Sequence, residues 1–185
     1  MRVISGTARG TRLVSLGNTS IRPTLDRVKE SFFNQVGPRL EGTTFLDLFA
    51  GSGNIGVEAL SRGADRVVFV ETDVKAQNII LQNLEKCKMD TSRWELLKSS
   101  ALNALNNLAT QNELFDLVYA DPPFDEDLYD PTLLELSSSG VLSQDAVVVA
   151  EHFHKTVLQK MYDKLNYYKD RRLGDSCLSF FCHDC

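Results

Sequence analysis

From Thr44 onward, short apolar runs alternate with segments of helical period, and this alternation limits the fold more than any other feature of the chain. Residues 45–49, 67–70, 94–97, 115–120 and 146–151 read as strands; residues 54–62, 74–86, 101–108 and 128–137 read as helices between them. Such a chain buries its strands only by laying them parallel under helices on both faces. Residues 167–170 and 178–182, around Gly174-Asp175, read as a terminal antiparallel hairpin. The predicted fold is α/β, a Rossmann-like doubly wound sheet of seven mostly parallel strands.

An extension precedes that core. Residues 2–4 and 12–14 are β-prone and flank a stretch from Gly6 to Gly10, which predicts a small hairpin or clasp. Pro23 and Thr24 then open a helix carrying Leu25, Val28, Phe32, Phe33 and Val36 at helical spacing, and Gly37-Pro38 stops it. At 185 residues the chain is expected to be one domain, with residues 1–40 as a basic extension and 41–185 as the core. No apolar run reaches membrane-spanning length and the first residues lack a signal-peptide core, so a cytoplasmic monomer is expected, with its four cysteines reduced.

The net charge of −5 argues against a polyanion partner until it is divided along the chain. Residues 1–39 carry seven basic side chains (Arg2, Arg9, Arg12, Arg22, Arg27, Lys29, Arg39) against Asp26 and Glu30, a balance of +5. The remainder carries −10. A basic arm on an acidic body suits a local grip on nucleic acid. Arg27 and Lys29 are placed off the apolar stripe of the first helix and so are expected to face solvent or a ligand.

Between the first core strand and helix lies Asp47-Leu48-Phe49-Ala50-Gly51-Ser52-Gly53-Asn54-Ile55-Gly56. Ligands of open α/β sheets bind beyond the carboxyl ends of the strands, where this turn falls. Phe49, Ala50, Gly51, Ser52, Gly53 and Asn54 are therefore candidate cofactor contacts, and Gly56 predicts close helix–strand packing. Glu71, followed by Thr72, ends the second strand 20 residues after Gly51, where a carboxylate suits ribose hydroxyls. This pattern fits a nicotinamide dinucleotide or S-adenosylmethionine. Asp47 favours the second, because an acid beside the turn attracts an ammonium and repels a pyrophosphate. The third strand ends in Ser99-Ser100-Ala101, so Ser100 and Ala101 are expected to meet the adenine through hydroxyl or backbone.

After the fourth strand comes Tyr119-Ala120-Asp121-Pro122-Pro123-Phe124. An exocyclic base amine is a poor nucleophile because its lone pair is delocalised into the ring. Acceptance of hydrogen bonds from its two N–H groups by the Asp121 carboxylate and the Pro122 carbonyl would localise that lone pair, in a turn stiffened by Pro122 and Pro123. Phe124 can stack on the base, which must be looped or flipped out to enter. His152 and His154 are not needed for this chemistry and read as surface or packing residues. Cys182-His183-Asp184-Cys185 is weak evidence for a metal, and none is expected.

The segments RVISGTARG, IRPTLDRVKESFFN, DLFAGSGNIGVEALSRGA, VVFVETD, YADPPF and RRLGDSCLSFF together resemble the RsmD family of bacterial ribosomal RNA methyltransferases. The resemblance implies a class I methyltransferase fold, S-adenosylmethionine as donor, and a guanine N2 amine in 16S rRNA of an assembling 30S particle as target. It also places Arg22, Thr24 and Arg27 of RPTLDR beside cofactor and RNA, alongside Arg9, Arg12 and Lys29 of the basic arm. The residues themselves leave open a DNA adenine-N6 methylase, a nicotinamide-dependent oxidoreductase and a non-catalytic RNA-binding assembly factor.

Overall fold

The computed structural model describes residues 1–17, 26–37, 40–123 and 127–184. Arg22, Thr24 and Phe124 lie outside these residues. In chain order the elements are α1 (Asp26–Val36), β1 (Thr44–Leu48), α2 (Asn54–Ser61), β2 (Arg66–Val70), α3 (Val74–Lys86), β3 (Trp94–Leu97), α4 (Ala101–Thr110), β4 (Phe115–Ala120), α5 (Tyr129–Ser138), β5 (Leu142–Phe153), β6 (Met161–Tyr162), β7 (Leu165–Leu173) and β8 (Ser176–His183). They form an α/β fold around one sheet of order β3-β2-β1-β4-β5-β8-β7-β6. The first five strands run parallel and β8 pairs antiparallel with β5. The sheet has eight strands where seven were expected, because two residues of β6 pair with β7. A two-residue strand is too short to leave a period in the sequence.

Strand alternation sends side chains to two separate cores. Phe45, Val67, Phe69, Leu117, Tyr119, Val147 and Val149 join the apolar faces of α1, α2 and α3. Leu46, Leu48, Val68, Val70, Val118 and Val148 join those of α4 and α5. The sheet is thus covered on both faces. Gly56 in α2 is fixed by this packing, since a Cβ there would lie 2.2 Å from the Phe69 ring.

The predicted clasp forms as one antiparallel bridge, Arg2 to Arg12, rather than as two strands. It is stitched to α2 instead. Thr7 N donates to Ser61 O at 2.8 Å, and Ala8 N donates to Ser61 Oγ at 3.0 Å. A Cβ on Gly6 would fall 1.7 Å from the Ser61 carbonyl oxygen, so only glycine fits this contact.

Lys29 corrects the sequence reading. It is fully buried, donates to Arg2 O at 2.6 Å and to Asn54 Oδ1 at 2.8 Å, and pairs with Glu58 at 3.2 Å. Lys29, Phe32, Phe33 and Val36 follow the i, i+3, i+4, i+7 spacing of a helix face, so Lys29 lies on the apolar stripe and not beside it. It is therefore not available to RNA. Cys182 departs from expectation too, for it is disulfide-bonded while Cys87 and Cys177 are free thiols. No helix among the described residues is long and apolar enough to cross a membrane.

Candidate active site

The carboxyl ends of β1, β2, β4 and β5 gather the candidate residues. The turn after β1 is strained, with Phe49 at φ 61°, Gly51 at 55° and Gly53 at 73°. Positive φ at a phenylalanine costs on the order of 1–3 kcal/mol and persists only where neighbours enforce it. Here they do so by hydrogen bonds. Ala50 N donates to Val70 O at 2.9 Å, Gly51 N to Glu71 Oε2 at 2.7 Å and Gly53 N to Ala50 O at 2.8 Å. Glu71 Oε1 accepts a further bond from Asp73 N at 2.8 Å. The predicted ribose carboxylate thus also supports the turn that would hold the rest of the cofactor.

Asp47 is buried, and its Oδ2 accepts from Gly56 N at 2.8 Å in the first turn of α2. Burial pushes its pKa well above the ordinary value, the Gly56 N–H opposes this, and the charge of Glu71 adds to it. A cation arriving beside it would reverse part of that shift. Asn54 opens α2, with Oδ1 taken by Lys29 while its buried Nδ2 has no hydrogen-bond partner among the described residues. A buried donor left unpaired is costly and marks a place where an acceptor belongs.

One row of the sheet lines up Asp47, Tyr119 and Val149 as register partners on β1, β4 and β5. Two residues further on, alternation returns Asp121 and Glu151 to the same face. Tyr119 donates its hydroxyl to Glu151 Oε2 at 2.5 Å, and Tyr129 of α5 donates to the Glu151 carbonyl oxygen at 3.2 Å. Burial together with the charges of Glu151 and Asp121 holds both phenols protonated, far above their ordinary range. Asp47, Glu71, Asp121 and Glu151 therefore make the strand ends strongly acidic. That field fits a sulfonium and an ammonium, and it opposes a dinucleotide pyrophosphate.

Pro122 is buried and Pro123 exposed beyond β4, next to the half-buried Asp121. Thr72 is exposed at the end of β2; its carbonyl and that of Glu71 accept from Gln77 Nε2, at 3.2 and 2.9 Å. At β3, Ser100 uses its hydroxyl to cap α4, accepting from Asn103 N at 3.4 Å, and Ala101 is buried in the core. The exposed Ser100 keeps its O–H free to donate while its oxygen caps the helix, whereas Ala101 has only backbone to offer an adenine.

Three residues of the site escaped the sequence reading. Glu151 and Gln77 are ordinary polar residues in sequence and gain their roles only through neighbours on other elements. Asn83 of α3 is fully buried; it accepts from Val14 N at 2.8 Å and donates to Val14 O at 3.1 Å and Ser52 O at 2.9 Å. One amide thus joins the N-terminal extension to the glycine turn. Of the basic candidates, Arg9, Arg12 and Arg27 are exposed, but Arg9 shares a cleft of about 300 Å³ with Asp26 and Glu30. The clasp carrying it meets Ser61 at the last residue of α2, away from that helix's glycine-capped start. His152 is buried, with Nε2 2.8 Å from Ser179 Oγ, which is a packing role. No group of three or more His, Cys, Asp or Glu among the described residues could hold a metal.

A family model described as Conserved hypothetical protein 95 matches residues 1–182. A candidate rRNA methyltransferase of Bacillus subtilis is 41% identical over 152 residues, covering 82% of each chain. Ribosomal RNA small subunit methyltransferase D of Haemophilus influenzae is 38% identical over 151 residues, covering 82% of this chain and 78% of that one. A candidate methyltransferase structure from Escherichia coli superposes with a TM-score of 0.86 at 28% identity, over 100% of this chain and 98% of that one. Another candidate methyltransferase, complexed with S-adenosylhomocysteine, shares the fold at TM-score 0.70 and 16% identity, over 89% of this chain and 50% of that one.

Proposed function

We propose a function for a chain that belongs, on these matches, to the family described as Conserved hypothetical protein 95: S-adenosylmethionine-dependent methylation of ribosomal RNA at the N2 amine of a guanine in 16S rRNA. The substrate is an assembling 30S particle in the cytoplasm, and the enzyme acts as a monomer. The observation that carries this reading is the set of acids at the strand ends, Asp47, Glu71 and Glu151, with Asp121 beside Pro122 just past β4. The relatives named for rRNA methylation support the substrate class. The Haemophilus relative's small-subunit name supports the particle.

S-adenosylmethionine supplies an electrophilic methyl group. This chain would bind its ammonium near Asp47, its ribose hydroxyls on Glu71 and its backbone-facing side on Gly51 and Gly53. Asp121 and the Pro122 carbonyl accept hydrogen bonds from the two amine N–H groups, draw the nitrogen toward tetrahedral geometry and hold it for in-line attack on the methyl carbon, after which one of the two protons is lost from the methylated amine. Phe124 is assigned to stack on the base by its place in the motif.

Radiolabelled methyl transfer to 30S particles lacking the modification tests the reading. Wild type is expected to label 16S rRNA in N2-methylguanosine, and Asp121→Ala to lose at least about a hundredfold in kcat, as expected on removing a positioning and proton-accepting group. Equal rates for the two proteins would refute the mechanism. Labelling of DNA adenine in place of the particle would move the substrate to the DNA methylase reading.

A further inference from the structure

The C-terminal hairpin was added to the sheet by sequence without a role. Its register gives it one. Arg171 of β7 pairs with Leu178, which pairs with Glu151 of β5, so Arg171 stands in the crosswise row one step beyond Ala120 and Ala150. That is the level of Asp121. The strand order puts β7 three steps from β4, about 14 Å at the usual strand spacing. Arg172 and the turn at Gly174 extend past that level, and Arg172 Nε donates to Gly174 O at 3.1 Å, which braces the tip. Beside it, β5 ends in Phe153, whose ring lies 4.5 Å from that of His154, with Lys155 Nζ 5.9 Å from the Phe153 centroid.

Lys155, Arg171 and Arg172 are exposed, and none of them joins an ion pair among the described residues. The adjacent acids are engaged elsewhere. Asp170 accepts from the Tyr167 hydroxyl and Cys177, and Asp175 lies 3.9 Å from His154. Lys29, Arg62 and Arg66, by contrast, are all paired with glutamates. Guanidinium groups outside any ion pair among the described residues, on a strand edge next to the half-buried rings of Phe153 and His154 and at the level of Asp121, suit a sugar-phosphate backbone approaching the catalytic turn.

We infer that the β5 end and the β7–β8 tip form a phosphate clamp, in which Arg171, Arg172 and Lys155 hold the RNA backbone flanking the target base. The clamp rests on the proposed rRNA substrate and names where that substrate is gripped.

The test is binding of 16S rRNA and 30S particles as a function of salt, for wild type, Arg171→Ala/Arg172→Ala, Arg171→Lys/Arg172→Lys, and a control Lys86→Ala/Lys164→Ala. The control removes the same charge from exposed residues at the opposite end of the strands, Lys86 at the close of α3 and Lys164 in the β6–β7 turn. The double alanine variant is expected to bind tenfold or more weakly at physiological salt. Its plot of log affinity against log salt should flatten by about 1.4–1.8, the slope carried by two phosphate contacts. The lysine variant should keep most of the slope, the control should match wild type, and S-adenosylhomocysteine affinity and melting temperature should be unchanged in all four. Wild-type affinity and slope in the double alanine variant, or an equal loss in the control, would overturn the clamp. Absence of methyl transfer by the wild type would instead strike the function itself, and is read separately in the labelling assay.

Discussion

The two ends of this chain both decorate the same sheet, yet they treat charge in opposite ways. At the N-terminal end charge is taken inside: Glu58 of α2 accepts from Ile4 N at 2.7 Å, Ser5 N at 2.9 Å and Arg62 Nε at 2.8 Å, and pairs with Lys29. At the C-terminal hairpin Arg171 and Arg172 stay outside, beside the strand ends and in no ion pair among the described residues. The count of basic residues along the sequence favours the first region as the nucleic-acid grip. Their placement shifts part of that task to the second, because a lysine locked to a buried glutamate releases no counterion from a phosphate.

Removing the hub is the most forceful way to test this contrast. Glu58→Ala strands Lys29 as an uncompensated buried cation and frees two clasp N–H groups, and should cost about 3–5 kcal/mol in urea unfolding. Burial already lowers the Lys29 pKa, with Glu58 opposing that shift, so loss of Glu58 lowers it further. An unfolding free energy within 1 kcal/mol of wild type, on the order expected for a surface site, would mean the network is not what secures the clasp.

A smaller effect sharpens the link between clasp and cofactor. Asn83→Leu leaves Val14 N and Ser52 O without their partner and should cost about 1–3 kcal/mol. More telling, it should weaken S-adenosylhomocysteine binding in calorimetry although Asn83 is separated from the turn's ligand side by Ser52. Unchanged affinity would confine Asn83 to fold support.

The smallest effect carries the opposite sign. Asp47 has a raised pKa in the fold against 3.8 for the free group, so its ionisation is resisted in the native state. Stability on its account is intact below about pH 3.8 and is lost as pH rises above that value. Asp47→Asn keeps an acceptor for Gly56 N without the charge. It should melt higher than wild type at pH 7, by an amount that shrinks as the pH falls toward 4, while binding the cofactor more weakly. A variant that melts lower at pH 7 would show the ionised carboxylate to be stabilising.

How much of this was legible in sequence follows from the range of the interactions. The core strands and helices are legible because alternation and helical period are local, and the turn at Gly51 and Gly53 because glycines mark backbone that others resist; the clasp, a single bridge, and the two-residue β6 leave no such period. Gly56 was read as a packing glycine, and its contact with Phe69 bears that out. Lys29 was misplaced since its charge argued for solvent while its helical position argued for the core, and only Glu58, 29 residues away, settles the conflict. Glu151, Gln77 and Asn83 could not be singled out, because each matters through a partner on another element. Arg171 and Arg172 stood in a recognised segment, but their level with Asp121 exists only in the register of four strands.

The stitching of the clasp has a last consequence. Val3 N donates to Thr11 O, Gly10 N to Val3 O and Leu13 N to Met1 O, while Ile4 and Ser5 are held by a fully buried carboxylate. Chain ends ordinarily fray and exchange their amide hydrogens within moments. Here the amides of residues 3–5 are expected to exchange among the slowest in the molecule. Removing the first fourteen residues would then act as a core mutation, uncovering Val3, Ala8 and Leu13's seat and unseating the glycine turn through Asn83.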